Sequence, residues 1–406
     1  MKDLPAIEGG KPIRTSPLRY RPWLSDEDIN LVVDVLKSGQ LSAIGGKWNT
    51  LLEQELAKYL GAKHVITVSN GTTALHVALK ALGIGPGDEV ITTPFTFAAS
   101  ATTILHSNAI PVFADIDRET LNISPSSIED VITDRTKAII VVHLAGYPAE
   151  MDEIMKIAQE RGLYVIEDTA QALGAIYRGK MAGSIGHVGT FSFYPTKTIT
   201  TGEGGAVATN DDNVARMARL LRSHGETGKY YYEILGYNYR MTEFQAALGY
   251  SQLRRIEEII KRKESFAKVL MEELQDIEGD LLQFPRPKPY IRHAWHLFQL
   301  LLNLERIRVS RDKVVEALRA EGIEAATIAY PIPLHKEPII TNMAGHGRGC
   351  PWTCPYYGKK IIYKPLPNAE WAAERVVSIL IGPLYTTEDA VDTARAIKRV
   401  LNYYRS

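Results

Sequence analysis

Apolar residues between about residues 50 and 210 follow two patterns, short continuous runs and helical repeats. Helical periodicity lies between several of the runs, as at residues 72–82 and 152–161. This alternation predicts an α/β fold with a mostly parallel seven-stranded sheet that helices cover on both faces. The continuous runs predict strands at residues 64–68, 89–92, 110–114, 137–143, 163–167, 189–193 and 205–208.

The rest of the chain has less regular patterns. Residues 1–45 predict an irregular arm with one short helix at 26–37, which Ser25 caps. A helical pattern rich in Glu, Lys and Arg runs from 242 to 274. Beyond it, the pattern predicts strands at 294–302 and 323–325, helices at 311–321 and 387–402, and a loop at 345–355.

These patterns divide the chain into three predicted units. Residues 1–45 form the N-terminal arm, residues 46–255 form a large α/β domain, and residues 256–406 form a smaller C-terminal α+β domain. A chain of 406 residues is longer than one ordinary core requires, so more than one domain is expected.

Composition narrows the class of partner. Hydrophobic residues make up 45% of the chain and charged residues 23%, as in globular proteins. Lys plus Arg and Asp plus Glu each number 47, so no basic excess favours nucleic acid or an anionic membrane. The start lacks the apolar core of a signal peptide, and no apolar run approaches the roughly 20 residues that span a bilayer. We therefore predict a cytoplasmic protein with small-molecule partners.

The only two cysteines are Cys350 and Cys354. So few in a long chain indicate a reducing compartment without a disulfide framework. Two ligands do not make a zinc site, so we predict structural thiols and no metal.

One lysine and one aspartate each lie at the end of a predicted strand, where they could bind a cofactor that carries a carbonyl group. Lys197 follows the predicted strand at 189–193 and precedes a loop of Thr and Gly, although an isolated loop lysine is usually a solvated surface group. Asp168 ends an apolar run, where a helix cap is the alternative. A lysine that forms a Schiff base and an aspartate that pairs with a pyridine nitrogen are the two groups that pyridoxal 5′-phosphate (PLP) requires.

Other side chains nearby could hold the rest of the same cofactor. Gln171 could reach the phenolic oxygen of the ring, or be an ordinary polar surface residue. The motif from Ser69 to Leu75 opens a helix after a strand, and helix N-terminal amides suit a phosphate, with Ser192 adding a hydroxyl. Either Phe95 or Phe97 could stack on the ring, although the core is the usual place for both.

Together these motifs resemble the DegT/DnrJ/EryC1/StrS family of PLP-dependent aminotransferases, whose fold is fold type I and which includes sugar and cyclitol aminotransferases. The resemblance extends from Glu8-Gly-Gly-Lys-Pro to the C-terminal helix. The motifs that carry it are Ser69-Asn-Gly-Thr-Thr-Ala-Leu, Phe95-Thr-Phe-Ala-Ala-Ser, Glu167-Asp-Thr-Ala-Gln, Ser192-Phe-Tyr-Pro-Thr-Lys, Gly202-Glu-Gly-Gly and Gly236-Tyr-Asn-Tyr-Arg-Met.

The resemblance implies the residues that surround the ring. Lys197 is the Schiff-base lysine and proton shuttle, and Asp168 pairs with the pyridine nitrogen. Gln171 contacts the phenolic oxygen, and Phe97 stacks on the ring. The residues implied to bind the phosphate are Gly71, Thr72, Thr73 and Ser192.

The resemblance also implies a homodimer with shared active sites. Asn238 reaches the phosphate of the neighbouring subunit's cofactor. Arg240 and His335 lie near the substrate, although a surface position is the alternative for His335.

The implied reaction is transamination. Sugar dehydratases of the same family carry histidine where this chain has Lys197, which favours amino transfer. In the implied ping-pong mechanism an amino acid gives its nitrogen to the cofactor, which then aminates a ketone. The implied donor is glutamate or glutamine, and the implied acceptor is a keto-sugar linked to a nucleotide.

Three alternatives stay open. Residues 9–14, 38–48 and 350–355 look more like the branch that aminates keto-cyclitols such as scyllo-inosose or makes aminohydroxybenzoate, often from glutamine. Lyase or aldolase chemistry would keep Lys197 and Asp168. A regulatory protein without catalysis is the third, but a DNA-binding regulator needs a helix-turn-helix and a basic patch, and neither is evident.

Overall fold

The computed structural model describes residues 4–406, whose strands form one large sheet and three smaller ones. The first residues of the predicted arm, 1–3, lie outside the described part. The strands are β1 (His64–Val68), β2 (Glu89–Thr92), β3 (Ile110–Phe113), β4 (Thr136–Val142), β5 (Tyr164–Asp168), β6 (Ile176–Tyr177), β7 (Lys180–Met181), β8 (Val188–Ser192), β9 (Gly205–Thr209), β10 (Glu226–Gly228), β11 (Tyr231–Tyr232), β12 (Leu282–Gln283), β13 (Ile291–Arg292), β14 (Leu297–Leu302), β15 (Ala326–Thr327) and β16 (Val376–Leu380).

Helices occupy most of the chain between these strands. They are α1 (Asp26–Ser38), α2 (Trp48–Leu60), α3 (Gly71–Ala81), α4 (Ala99–His106), α5 (Pro125–Val131), α6 (Met151–Arg161), α7 (Asp212–Arg222), α8 (Glu243–Leu253), α9 (Ile256–Glu273), α10 (Arg311–Ala320), α11 (Pro338–Thr341), α12 (Pro367–Arg375) and α13 (Thr387–Tyr403). Within the described residues, no helix is long and apolar enough to cross a membrane.

The large sheet has seven strands in the order β1–β9–β8–β5–β4–β2–β3. All its pairings are parallel except those of β9, which is antiparallel to both of its neighbours. These are the seven strands that the apolar runs predict, so the predicted α/β class and sheet are confirmed. The carboxyl ends of β1, β4, β5 and β8 consequently lie along one edge.

Alternate residues of β1 show how the sheet is covered on both faces. Ile66 and Val68 pack in one apolar cluster with α3 and α7, whereas Val65 packs on the opposite face with α2 and α9. Burial of both faces explains why these strands read as continuous apolar runs rather than as alternating ones.

The second sheet is antiparallel, with the order β12–β14–β16–β15. Phe266 of α9, Val314 of α10 and Ile397 of α13 pack on one of its faces. The strand predicted at 323–325 is displaced, because β15 is Ala326–Thr327. The strands of the large sheet precede residue 255 in the sequence, and the strands of the second sheet follow it. The division of the chain into three units at residues 45 and 255 stays a prediction.

The single helix predicted over 242–274 is wrong, because the structure has two helices, α8 and α9, with a break at Arg255. The Arg255 guanidinium donates hydrogen bonds to Asp28 Oδ2 at 2.6 Å and to Ser25 Oγ at 2.8 Å. Ser25 and Asp28 form the predicted cap of α1, with reciprocal side-chain-to-backbone hydrogen bonds. The break therefore follows from a tertiary contact between distant segments, which local periodicity does not encode.

Candidate active site

The carboxyl ends of β1, β5 and β8 open into one cavity of about 790 Å³. Parallel strands commonly present binding groups at this edge, because their connecting loops meet there. The lining combines the start of α3, the residues after β5 and the loop after β8. Its polar and aromatic members include Thr72, Thr73, Phe97, Asp168, Gln171, Ser192, Tyr194 and Lys197.

Lys197 lies in the loop after β8, and its side chain is half-buried against the cavity. Its backbone N–H donates to the Tyr194 carbonyl at 2.9 Å, which fixes the turn that carries it. Burial lowers the pKa of the Lys197 amine to about 8, although the charge of Asp168 opposes that shift. Roughly a tenth of the amine is therefore uncharged and nucleophilic at pH 7, far more than for an ordinary lysine.

Asp168 is the last residue of β5 and is only 6% exposed. Its Oδ2 accepts a hydrogen bond from Ser100 Oγ at 2.8 Å, and its Oδ1 accepts one from the Ala170 amide at 3.2 Å. Burial raises the pKa of Asp168, with these hydrogen bonds acting against it. A cationic group in the cavity would keep this carboxyl ionised, as a protonated ring nitrogen does.

A buried histidine that the sequence interpretation missed supports Asp168 from behind. The His143 amide donates to the Asp168 carbonyl at 3.1 Å. The Ala149 amide donates to His143 Nδ1 at 3.1 Å, so the ring proton lies on Nε2, 2.9 Å from Glu167 Oε2. Its signal in the sequence is its place directly after the run that forms β4, at the same edge as Asp168.

The start of α3 and Ser192 form a cradle for an anion. Asn70 Oδ1 accepts the Thr73 amide at 2.8 Å, while Thr73 Oγ1 accepts the Asn70 amide at 3.1 Å. The amides of Gly71 and Thr72 make no hydrogen bond with any of residues 4–406. Free amides at a helix N-terminus attract phosphate. The Thr73 hydroxyl is occupied in the cap, so its contribution is to hold the cradle in shape.

Gly71→Ala is expected to weaken PLP binding. A Cβ at Gly71 would lie 2.7 Å from Ser192 Cβ, so the cradle would have to open. Overpacking costs about 1–3 kcal/mol, which corresponds to roughly 5- to 150-fold weaker binding. Fluorescence titration of the PLP-free protein with PLP measures this. Gly85→Ala is the control, because a Cβ there meets only the Ser107 carbonyl oxygen at 4.0 Å, and equal affinity of the two variants would contradict the prediction.

Gln171 lines the cavity, and both ends of its amide are already bonded. Its Oε1 accepts the Ala145 amide at 2.8 Å, and its Nε2 donates to the Tyr330 hydroxyl at 2.8 Å. Both partners have left-handed backbones, with φ of 58° at Ala145 and 57° at Tyr330. Sequence interpretation missed Tyr330, which comes from the loop after β15 and carries no motif of its own. A contact with the cofactor's phenolic oxygen stays a prediction for Gln171.

The structure separates the two candidate stacking rings. Phe95 is fully buried in an apolar cluster, whereas Phe97 is 64% exposed and lines the cavity. Phe97 is therefore the ring that is available to a ligand.

Three predicted site residues do not line the cavity of their own chain. Asn238 is exposed and forms an isolated backbone bridge with Ser223. Arg240 Nη1 donates a hydrogen bond to the hydroxyl of the same serine at 3.0 Å. His335 is 4% exposed, and its Nε2 lies 3.1 Å from Glu370 Oε1. The structure does not bring His335 to the cavity, and the partner-subunit role of Asn238 stays a prediction.

The residues present fit PLP. An anion cradle suits the phosphate, a buried carboxylate suits a protonated ring nitrogen, and a lysine of lowered pKa suits the aldehyde. All three line the same cavity. The two thiols, Cys350 and Cys354, are free, half-buried and outside that lining.

Comparison with known proteins gives consistent similarities. The model of the DegT/DnrJ/EryC1/StrS aminotransferase family matches residues 22–398. An uncharacterized protein of Methanocaldococcus jannaschii is 44% identical over 399 residues, which are 95% of this chain and 98% of that protein. GDP-perosamine synthase of Caulobacter vibrioides is 41% identical over 325 residues, 80% of this chain and 86% of the synthase. A solved aminotransferase from Psychrobacter cryohalolentis is 34% identical with a TM-score of 0.86, over 96% of this chain and 100% of that one.

Proposed function

Because the chain belongs to the DegT/DnrJ/EryC1/StrS aminotransferase family and is a PLP-dependent enzyme, we propose that it transfers an amino group from glutamate or glutamine to a nucleotide-linked keto-sugar. The observation that carries this proposal is the single cavity that Lys197, Asp168 and the anion cradle share. The likeness to GDP-perosamine synthase supports a nucleotide-linked acceptor. Membership of this aminotransferase family argues against the alternative that the chain is a regulatory protein without catalysis.

Each residue of the cavity has a proposed task. PLP, when bound, supplies an electrophilic carbonyl and an electron-withdrawing ring. The amides of Gly71 and Thr72, with the Ser192 hydroxyl, hold the phosphate. Asp168 holds a proton at the ring nitrogen by its negative charge.

Lys197 has two proposed tasks. Its uncharged amine is the nucleophile that anchors the cofactor. With the cofactor carrying an amino acid instead, the same amine would take a proton from the substrate carbon and return one, because burial brings its pKa to about 8, near neutral pH. Donor and acceptor then use the same cavity in turn, which is a ping-pong order.

We also propose a homodimer, in which Asn238 reaches the partner's cofactor. Four large side chains around β10 and β11 are strongly exposed in the single chain, namely Tyr230, Tyr231, Tyr232 and Leu235. Large apolar side chains that are exposed together on a protein surface often mark an interface. The cytoplasmic location stays a prediction.

The test uses the purified protein loaded with PLP. One of L-glutamate and L-glutamine is expected to shift the cofactor's absorption band, and that shift identifies the donor. After the donor is removed, a nucleotide-linked keto-sugar is expected to restore the band and yield an aminated product by mass spectrometry. The matched control acceptor is the same keto-sugar without its nucleotide.

Other outcomes would overturn the proposal in defined ways. Restoration by a keto-cyclitol alone would move the enzyme to the cyclitol and aminohydroxybenzoate branch. Equal rates with the nucleotide-linked and the free keto-sugar would show that the enzyme does not recognise the nucleotide. A band that neither donor shifts would favour lyase or aldolase chemistry.

A further inference from the structure

Gln171 is held between two residues whose backbones are both strained. Its Oε1 accepts the Ala145 amide at 2.8 Å, and its Nε2 donates to the Tyr330 hydroxyl at 2.8 Å. The φ angles of 58° at Ala145 and 57° at Tyr330 lie in the left-handed region, which is unfavourable for a residue with a Cβ. Strain of this kind persists only where the surrounding structure holds it, and it is concentrated at binding and catalytic sites.

The Ala145 amide determines which end of Gln171 faces which partner. A backbone N–H can only donate, so the atom of Gln171 that it contacts must be the amide oxygen. The amide nitrogen then lies toward Tyr330, and one of its two protons is used in the bond to the hydroxyl. The second proton has no hydrogen-bond partner within residues 4–406. Because Gln171 lines the cavity, this N–H is available to a ligand there.

Tyr330 is fixed by packing outside the cavity lining. It follows β15 of the second sheet, and it is not among the residues that line the cavity. Its ring makes an edge contact with the buried ring of Phe95, with the two centroids 5.6 Å apart and the planes at 80°. Burial raises the pKa of the Tyr330 hydroxyl, so the group stays neutral at pH 7. Tyr330 therefore offers Gln171 an acceptor oxygen in a fixed place.

The other partner, Ala145, is also tied to the second sheet. Its carbonyl accepts the His296 amide at 2.8 Å, one residue before β14. The Gly146 carbonyl accepts the Ala294 amide at 2.9 Å. Gly146 has a φ of 99°, and a Cβ there would lie 3.1 Å from the Gln171 carbonyl oxygen. Both hydrogen-bond partners of the Gln171 amide are thus connected to the second sheet, whereas Gln171 itself follows β5 of the large sheet.

We propose that Tyr330 is a positioning residue for cofactor binding: together with Ala145 it holds Gln171 so that an amide N–H faces the phenolic oxygen of PLP. The proposal rests on the proposed contact between Gln171 and that oxygen. A donor at this point favours negative charge on the phenolic oxygen and so strengthens binding. Without the Tyr330 hydroxyl, the Gln171 nitrogen loses its fixed direction, although Ala145 still holds the oxygen.

The first test compares two ligands. Tyr330→Phe removes only the hydroxyl, and its PLP-free protein is titrated by fluorescence with PLP and with the analogue in which hydrogen replaces the phenolic hydroxyl. Loss of one hydrogen bond corresponds to roughly 3- to 10-fold weaker binding. We expect a loss of that size for PLP and no loss for the analogue. Equal losses for both ligands would mean a general disturbance of the site and would overturn the proposal.

Tyr363→Phe is the matched control. Tyr363 is half-buried like Tyr330, its hydroxyl donates to the Pro111 carbonyl at 2.9 Å, and it lies outside the cavity lining. This variant is expected to bind both ligands as tightly as the wild type does. A selective loss of PLP affinity in Tyr363→Phe would show that removal of any such hydroxyl has this effect, which contradicts a specific role for Tyr330.

A double variant separates positioning from direct contact. Gln171→Leu removes both ends of the amide, so in that background Tyr330→Phe is expected to cause no further loss of PLP affinity. A further loss of the same size as in the wild type would mean that Tyr330 acts on the cofactor directly, and it would overturn the proposal.

Gln171→Glu tests the polarity without any change at Tyr330. A carboxylate can still accept from the Ala145 amide and from the Tyr330 hydroxyl, but it has no proton to offer the phenolic oxygen. We expect it to weaken PLP binding more than Tyr330→Phe does. A Gln171→Glu protein that binds PLP as tightly as the wild type would show that no N–H is needed there.

The outcomes are distinguishable from failure of the proposed reaction, because PLP affinity does not depend on amino transfer. A wild type that binds PLP without the lysine-bound absorption band would overturn the assignment of Lys197 and leave the comparison of the two ligands valid. Equal affinity of the wild type for PLP and for the analogue would instead overturn the contact of Gln171 with the phenolic oxygen, and the role of Tyr330 with it.

Discussion

Lys197→Ala is expected to lower kcat/KM for amino transfer by about four orders of magnitude, the upper end of what a positioned proton-transfer group contributes. Covalent anchoring of the cofactor is lost with the amine, and among residues 4–406 no other lysine lines the cavity to replace it, since Lys263 is buried outside that lining. The absorption band of lysine-bound PLP should disappear, while free PLP is still held by the phosphate cradle.

Lys261→Ala is the matched control for this variant. Lys261 is an exposed lysine on α9, so the same truncation should leave rate and spectrum unchanged. Added small amines are expected to restore part of the lost rate in Lys197→Ala. A Lys197→Ala protein with the wild-type spectrum would show that another residue holds the cofactor.

Asp168→Asn is expected to have the second largest effect. The substitution keeps the shape of the side chain and removes the charge that we propose holds a proton on the ring nitrogen. Truncating one partner of a buried charge pair costs about 2–5 kcal/mol. That cost corresponds to a loss of roughly 30- to 5,000-fold in kcat, in PLP affinity, or divided between them. Steady-state kinetics with a parallel PLP titration separates the two.

Ser100→Ala provides the comparison for Asp168→Asn. It removes the 2.8 Å hydrogen bond to Asp168 Oδ2 and leaves the charge in place. A single hydrogen bond to a charged group contributes about 1.5–3 kcal/mol at most, so its effect should be smaller. An Asp168→Asn enzyme that is no more impaired than Ser100→Ala would mean that hydrogen bonding, rather than charge, is what matters there.

Local pattern was sufficient for the large sheet and insufficient for the helix after it. Strands such as β4 and β5 are buried on both faces, so their apolar runs are continuous and their limits are clear to within a residue or two. The sequence around the break at Arg255 contains no Gly or Pro that would predict the end of a helix. At this position the N-terminal arm packs against the helix, and Asp28 accepts a hydrogen bond from Arg255. A contact between residues 227 apart in the chain does not alter the local hydrophobic periodicity, so the sequence pattern could not predict it.

The same contrast holds inside the cavity. Lys197, Asp168 and Gly71 stand in contiguous motifs next to strand ends, so their types and spacing indicate their chemistry. His143, Tyr330 and Lys263 belong to no such motif. His335 shows the reverse case, since its loop looks like that of the family, yet its ring packs near Glu370, outside the cavity lining.

The chain by itself determined the order of strands and helices along the sequence, the sheet edge where the candidate site lies, and the lysine and aspartate from which the cofactor class was predicted. These depend on burial periodicity and on neighbours within a few residues. Only the tertiary structure decided which ring faces the cavity, how Gln171 is bonded, and that Lys263 is fully buried with no hydrogen-bond partner among residues 4–406. Those properties depend on distances and local dielectric between segments far apart in the chain, and both quantities exist only once the chain has packed.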